Sequence, residues 1–354
     1  MQVYTVRNAH EALAVLLSAI DREGVERQSR NGPVLMFPMP ITICYEKPTE
    51  RVLFWPERDA NPFFHFFEAL HMLAGRNDVA FPAYFAKQIL EYSDDGTTLH
   101  GAYGHRWRKA FKFDQLREIV TRLRQDPNCR RQVLQMWHAG WDLGRDGKDL
   151  PCNIAATFQI NVNGQLDMVM FNRSNDTIWG AVGANVVHFS VLQEYVAGAV
   201  GVPVGRYWQV SANMHVYKND VYTRCRPIAA AEPDPWRWRN SNPYDTVQPF
   251  DLFTTDHIMN TKERWFLWDV ELDRLFSSWQ CPGAREFTLP FFRDVAVPML
   301  QAYHIYKTMN RPKCYTEAKD RALKRVAAMD WQRAGGEWIM RRFDKWVAGV
   351  DVGV

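Results

Sequence analysis

Three short runs in this 354-residue sequence carry the residue types best suited to chemistry. Leu150-Pro151-Cys152-Asn153 sets a cysteine directly after a proline, at the end of a charged, glycine-bearing loop. Asn172-Arg173-Ser174-Asn175-Asp176 offers a guanidinium and a hydroxyl side by side, donors that suit a phosphate. Asn213-Met214-His215-Val216-Tyr217 alternates a His and a Tyr, so on an extended segment both side chains share a face. A nucleophilic cysteine must be a thiolate, and nearby arginines favour that form. Arg130, Arg131 and Arg173 are candidates for that role. The plainer alternatives are an inert core cysteine, surface arginines and a structural His/Tyr pair. Glu68 adds a fourth signal. It is the one carboxylate in the apolar stretch Phe63-Phe64-His65-Phe66-Phe67-Glu68-Ala69-Leu70, where an unpaired charge is costly unless it moves protons or reaches the solvent edge.

The elements that must position these groups can be read from the pattern. Helices are expected over 10–23, 62–74, 83–92, 114–124 and 185–200. Pro62 and Gly75 bracket the second of these in the usual sense. Arg30-Asn31-Gly32-Pro33 reads as a turn. The run 34–45 is β-rich but carries Pro38 and Pro40, which predicts an irregular or edge strand. Strands are expected over 131–137 and 206–210, and residues 154–162 and 165–171 form a hairpin about Asn163-Gly164. Beyond Pro227 the composition changes, and a long basic helical stretch over 315–346 is expected, interrupted at Gly335-Gly336. The expected layout is α/β, a mixed sheet flanked by helices. Residues 1–226 form the catalytic domain and 227–354 a mostly helical elaboration packed on it.

Composition narrows the function classes. The formal charge of +3 gives no strong electrostatic case for nucleic acid or membrane. No apolar run is long enough to span a bilayer, and the N-terminus lacks a signal-peptide layout. The six cysteines are widely spaced with no Cys-x-x-Cys pair, so a cytoplasmic protein with reduced thiols and no metal is expected.

Together the residues resemble a family. Arg30-Asn31-Gly32, Glu68, Tyr103-Gly104 with Trp107-Arg108, Arg130-Arg131, Pro151-Cys152, Arg173-Ser174-x-Asp176, Gly180, Asn185 and His215-x-Tyr217 resemble thymidylate synthase and the related phage nucleotide hydroxymethylases, over about residues 26–220. The resemblance implies that Cys152 attacks C6 of a deoxypyrimidine monophosphate. C5 then takes a one-carbon unit from 5,10-methylenetetrahydrofolate. It implies proton transfers by Glu68 and Tyr103, and a phosphate held by Arg30, Arg173 and Ser174. It also implies a homodimer in which Arg130 and Arg131 reach the partner subunit's phosphate. His215 and Tyr217 would hold the 3′-hydroxyl, and Asp176 and Asn185 would orient base and folate, with Gly180 and Ile89 on the folate side.

The departures fall around position 4 of the base and the transferred carbon. Asn153 stands where the family has His, Ile89 where it has Trp and Asn172 where it has Gln, and the path from Gly180 to Asn185 is one residue longer. Asn185 can serve uracil or cytosine by flipping its amide, whereas Asp there would favour cytosine. Loss of the bulky Trp opens the transferred carbon to water. The expected activity is a dCMP or dUMP hydroxymethylase, dCMP slightly ahead. Methyl transfer is the alternative, and a non-catalytic nucleotide- or RNA-binding relative the remote one.

Overall fold

The structure, a computed structural model, describes residues 1–230, 242–253, 262–308 and 329–347. Among the described residues, ten strands form two sheets. They are β1 (Gln2–Val6), β2 (Val25–Ser29), β3 (Gly32–Met36), β4 (Ile41–Tyr45), β5 (Val133–Gln135), β6 (Asn153–Ile160), β7 (Leu166–Asn172), β8 (Asn175–Asp176), β9 (Val204–Ser211) and β10 (Met214–Tyr217). The larger sheet runs β1-β4-β9-β7-β6-β5 and the smaller β2-β3-β10-β8. Pairing is mixed: β1/β4 and β7/β9 are parallel, and β4/β9, β6/β7 and β5/β6 antiparallel. Helices pack against the sheets, so the α/β expectation holds.

The prolines at 38 and 40 do not weaken one strand; they divide two. β3 joins the small sheet, while β4 is wholly buried between β1 and β9, the opposite of an edge. Proline has no N–H for a ladder, so the crossing between sheets falls where no ladder bond is lost. The hairpin is as expected, with Gly164 at a φ of 75° in its turn.

The first helix, Ala9–Glu23, is capped by Asn8, whose side chain accepts from the Glu11 N–H. The aromatic helix Pro62–Leu73 is capped by Asn61 and followed by Gly75 at a φ of 65°. Residues 83–92 are not one helix but two turns, Ala80–Phe85 and Ile89–Tyr92, broken at Ala86. The central helix Asn185–Val200 is buried along nearly its whole length. The segment before it, Thr177–Ala184, is a π-helix. A π-turn absorbs one extra residue, which explains how the longer path from Gly180 still delivers Asn185 to the helix start.

Pro227 lies inside the helix Asp220–Ala230. The expected stretch 315–346 falls partly outside the described residues. Its remainder, Asp330–Val347, runs unbroken through Gly335-Gly336. A Cβ at Gly335 would meet Phe63 Cζ at 3.0 Å, so glycine there serves close helix packing rather than a break. Trp331 and Trp338 of this helix, with Phe291 and Trp268, belong to the same buried cluster as Phe63 and Phe66 of the aromatic helix. Arg108 donates to Tyr195 of the central helix and to Asp269 of the helix Lys262–Ser277. Arg51 and Glu194 form a buried ion pair, and Glu194 also accepts the Leu252 N–H.

Candidate active site

Cys152 sits where the 142–149 loop enters β6, in a cleft of about 990 Å³. Its loop is fastened from two sides. Arg173 donates to the Pro151 carbonyl at 2.8 Å and the Leu150 carbonyl at 3.2 Å, and its guanidinium lies over the Trp137 ring. The Tyr103 hydroxyl accepts the N–H groups of Cys152 at 3.0 Å and Asn153 at 3.3 Å. Burial pushes the thiol above its ordinary value; Arg173 and Arg30 pull it down, and Asp149 adds to the rise. Net thiol character in the free protein therefore differs from the expectation that arginines make the thiolate, because desolvation of the charge is the larger effect.

The residues expected to hold the phosphate and sugar converge on the same cleft. Arg30, at the exposed tip between β2 and β3, lines it with Arg173 and Ser174. His215 and Tyr217 share one face of β10, edge to face, with ring centroids 5.1 Å apart. His215 Nδ1 contacts Asn213 Oδ1 at 3.0 Å. Asp176 lies opposite His215 across the β8/β10 pairing. Its Oδ1 accepts the N–H groups of Ile178 and Trp179, capping the π-helix. Burial raises the Asp176 carboxyl and lowers His215; each opposes the shift of the other.

A smaller cavity of about 190 Å³ adjoins the cleft, and Tyr92, Tyr103, Asp149 and Trp179 line both. Glu68, Ile89, Gly180 and Asn185 form its walls. Glu68 Oε2 stands 2.9 Å from Nε2 of His188, which lies one helical turn beyond Asn185. His65, one turn before Glu68, is fully buried, and desolvation drives it well below the usual imidazole value. Burial also drives the Tyr103 hydroxyl up, the same direction as the Cys152 thiol beside it.

Some expected residues lie elsewhere. Arg130 and Arg131 are exposed, outside both cavities of this chain, so neither acts on the thiol within it. Asn153 is fully buried behind Cys152, opposite Asn172 in the β6/β7 pairing, and among the described residues neither of its amide atoms has a partner. It does not line either cavity. Sequence reasoning missed His188, Trp179 and Asp149. It also missed the buried pair Arg106–Asp142, at 2.6 Å, which braces the loop leading to Cys152. Among the described residues, no group of three His, Cys, Asp or Glu could hold a metal ion, and no helix is long and apolar enough to cross a membrane.

Residues 53–237 match the family model for thymidylate synthase. A deoxyuridylate hydroxymethyltransferase of Pseudomonas phage M6 is 50% identical over 97% of this chain and 95% of its own length. The chain belongs to the thymidylate synthase family. A deoxyuridylate hydroxymethyltransferase of Bacillus phage SP01 is 36% identical over 58% of the chain and 56% of its own length. The thymidylate synthase of T4 phage superposes with a TM-score of 0.50 at 23% identity, covering 62% of this chain and 81% of that one, which shows the shared fold. As a member of this family the protein is an enzyme, a folate-dependent C5 one-carbon transferase acting on a pyrimidine nucleotide.

Proposed function

We propose that this enzyme is a deoxyuridylate hydroxymethyltransferase, making 5-hydroxymethyl-dUMP from dUMP. The observation that carries the reading is the placement of Glu68 and His188 at 2.9 Å, in a cavity that shares Tyr103 as a wall with the cleft of Cys152. The two phage relatives named for this activity support it. Sequence alone put dCMP slightly ahead; the relatives, and an amide rather than a carboxylate at Asn185, put dUMP first.

In this reading Arg30, Arg173 and Ser174 hold the 5′-phosphate, and His215 and Tyr217 the 3′-hydroxyl. These contacts are remote from the reacting carbon, and their binding energy sets the ring against Cys152. The thiolate attacks C6, which makes C5 a nucleophile. Tyr103 is placed to assist loss of the C5 proton. When bound, methylenetetrahydrofolate would supply the one-carbon unit to C5, and loss of the C5 proton with cleavage of the carbon–nitrogen bond would release tetrahydrofolate and leave an exocyclic methylene. The apolar wall of Ile89 and Phe64 and the 40% exposed Trp179 fit a flat heterocycle on that side, with Gly180 and Asp176 behind it. Glu68 and His188 then hold water against the exocyclic carbon and take its proton. The oxygen bonds to that carbon, electrons return through C5–C6, and the Cys152 thiolate leaves. Ile89 leaves room for that water.

The same reading carries a homodimer, with Arg130 and Arg131 offered to the partner subunit's phosphate, which fits their exposure here. It also carries a host-cytoplasmic, phage-type enzyme of nucleotide biosynthesis for DNA modification, and residues 227–354 as an elaboration on the catalytic core. The test is product mass. dUMP with methylenetetrahydrofolate should yield 5-hydroxymethyl-dUMP and tetrahydrofolate. Formation of dTMP with dihydrofolate would establish methyl transfer instead.

A further inference from the structure

The Asn185 amide is held by a chain of hydrogen bonds that starts outside the pocket. Asn185 Nδ2 donates to Asn175 Oδ1 at 3.0 Å. Both donors of the Asn175 amide are used: Nδ2 reaches Gln209 Oε1 at 3.0 Å and Ser211 Oγ at 3.2 Å. Gln209 Nε2 in turn donates to the Ala181 carbonyl at 3.0 Å. A backbone carbonyl can only accept, so the far end of the chain has one direction. Turning Gln209 over would set its oxygen against that carbonyl. Turning Asn175 or Asn185 over would set oxygen against oxygen. Asn175, Gln209 and Ser211 are almost fully buried, where an unpaired polar atom carries its full desolvation cost.

A glycine makes room for the chain. A Cβ at Gly180 would lie 2.5 Å from Asn175 Oδ1 and 3.3 Å from Asn185 Nδ2. Gly180, assigned from sequence to the folate side, is therefore the space through which the two asparagines meet.

We propose that Asn175 and Gln209 are specificity-determining positioning residues: they fix the Asn185 amide in one orientation and so commit the enzyme to uracil. The chain occupies one hydrogen of Nδ2. Among the described residues it leaves Oδ1 as an acceptor with no protein partner, and a second N–H beside it. Uracil offers a donor at N3 and an acceptor at O4, the matching pair. Cytosine offers an acceptor at N3 and a donor at N4, which places like against like unless the amide turns. An unrestrained asparagine would accept either base; this one cannot turn without breaking buried bonds. The inference rests on dUMP being the substrate.

Asn175→Ala removes the acceptor, and Gln209→Met removes the group that sets the direction. Gly180→Ala adds one methyl in the gap and deletes no buried polar group, which covers the case where the first two variants fold poorly. Each is assayed with dUMP and with dCMP, and kcat/KM is compared, with circular dichroism as the check on folding. The dUMP-over-dCMP ratio should fall roughly tenfold or more, through a gain on dCMP relative to dUMP. A merely structural role would depress both nucleotides alike and leave the ratio unchanged. A wild type that prefers dUMP, with a ratio that survives in the folded variants, overturns the positioning role alone. A wild type that prefers dCMP overturns the substrate reading, and the inference with it.

Discussion

Glu68 Oε2 and His188 Nε2 lie 2.9 Å apart, one on the aromatic helix and one on the central helix. Neither helix alone makes this pair; the packing of the two helices does. Glu68→Gln should lower kcat roughly 10²–10⁴-fold while leaving the KM for nucleotide near wild type, the signature of a lost proton transfer. His188→Ala should lower kcat in the same direction. Steady-state kinetics at several pH values checks both. A change confined to KM would assign the pair to binding.

Cys152 should behave as a thiol whose ionisation is opposed by burial. Its alkylation by iodoacetamide, taken as the difference between wild type and Cys152→Ser, should still be climbing with pH at 9.0, the ordinary thiol value. A plateau near neutrality would show that Arg173 and Arg30 outweigh desolvation. Cys152→Ser should also lose turnover by roughly 10³-fold or more while still binding nucleotide.

Arg173 has two tasks in the proposed reading, since the guanidinium assigned to the phosphate also holds the Leu150 and Pro151 carbonyls. Lysine has charge but not the planar fork. Arg173→Lys should therefore raise the KM for nucleotide and lower kcat together, each by roughly tenfold or more. Loss in KM alone would separate the phosphate contact from the loop contact.

Acid should destabilise the fold through His10, which stacks on Trp55 with its imidazole lowered to about 3 by burial. An unfolded histidine titrates near 6.5, so between 6.5 and 3 the unfolded chain binds more protons and stability falls as pH falls. At pH 5 the contribution is about 2 kcal/mol. His10→Phe keeps a ring on Trp55 and removes the titration. Urea unfolding at pH 7 and pH 5 should show that wild type loses about 2 kcal/mol more than the variant on acidification.

What the sequence made legible depended on signals that are local. The Asn163-Gly164 hairpin, the capped helices and the motif around Cys152 each stand within a few consecutive residues. β2 did not, because all five of its residues are exposed and nothing alternates. His188 was hidden inside a helix read as a single buried element. Arg106 and Asp142 are 36 residues apart, and only the fold brings them together. Pro38 and Pro40 were read as flaws in one strand, since a change of sheet leaves no mark beyond the prolines themselves. The extra residue before Asn185 was visible as a count; the π-helix that absorbs it was not.

The small sheet joins, in four short strands, the turn that carries Arg30, the strand that carries His215 and Tyr217, and the two residues of β8 that end at Asp176. All five residues of its outer strand β2 are exposed. A nucleotide bridging Arg30 to His215 would thus act as the missing hydrophilic keystone of that sheet. Substrate should then tighten the β2–β3 ribbon against proteases before any bond is made, and an empty enzyme should begin to unravel there first.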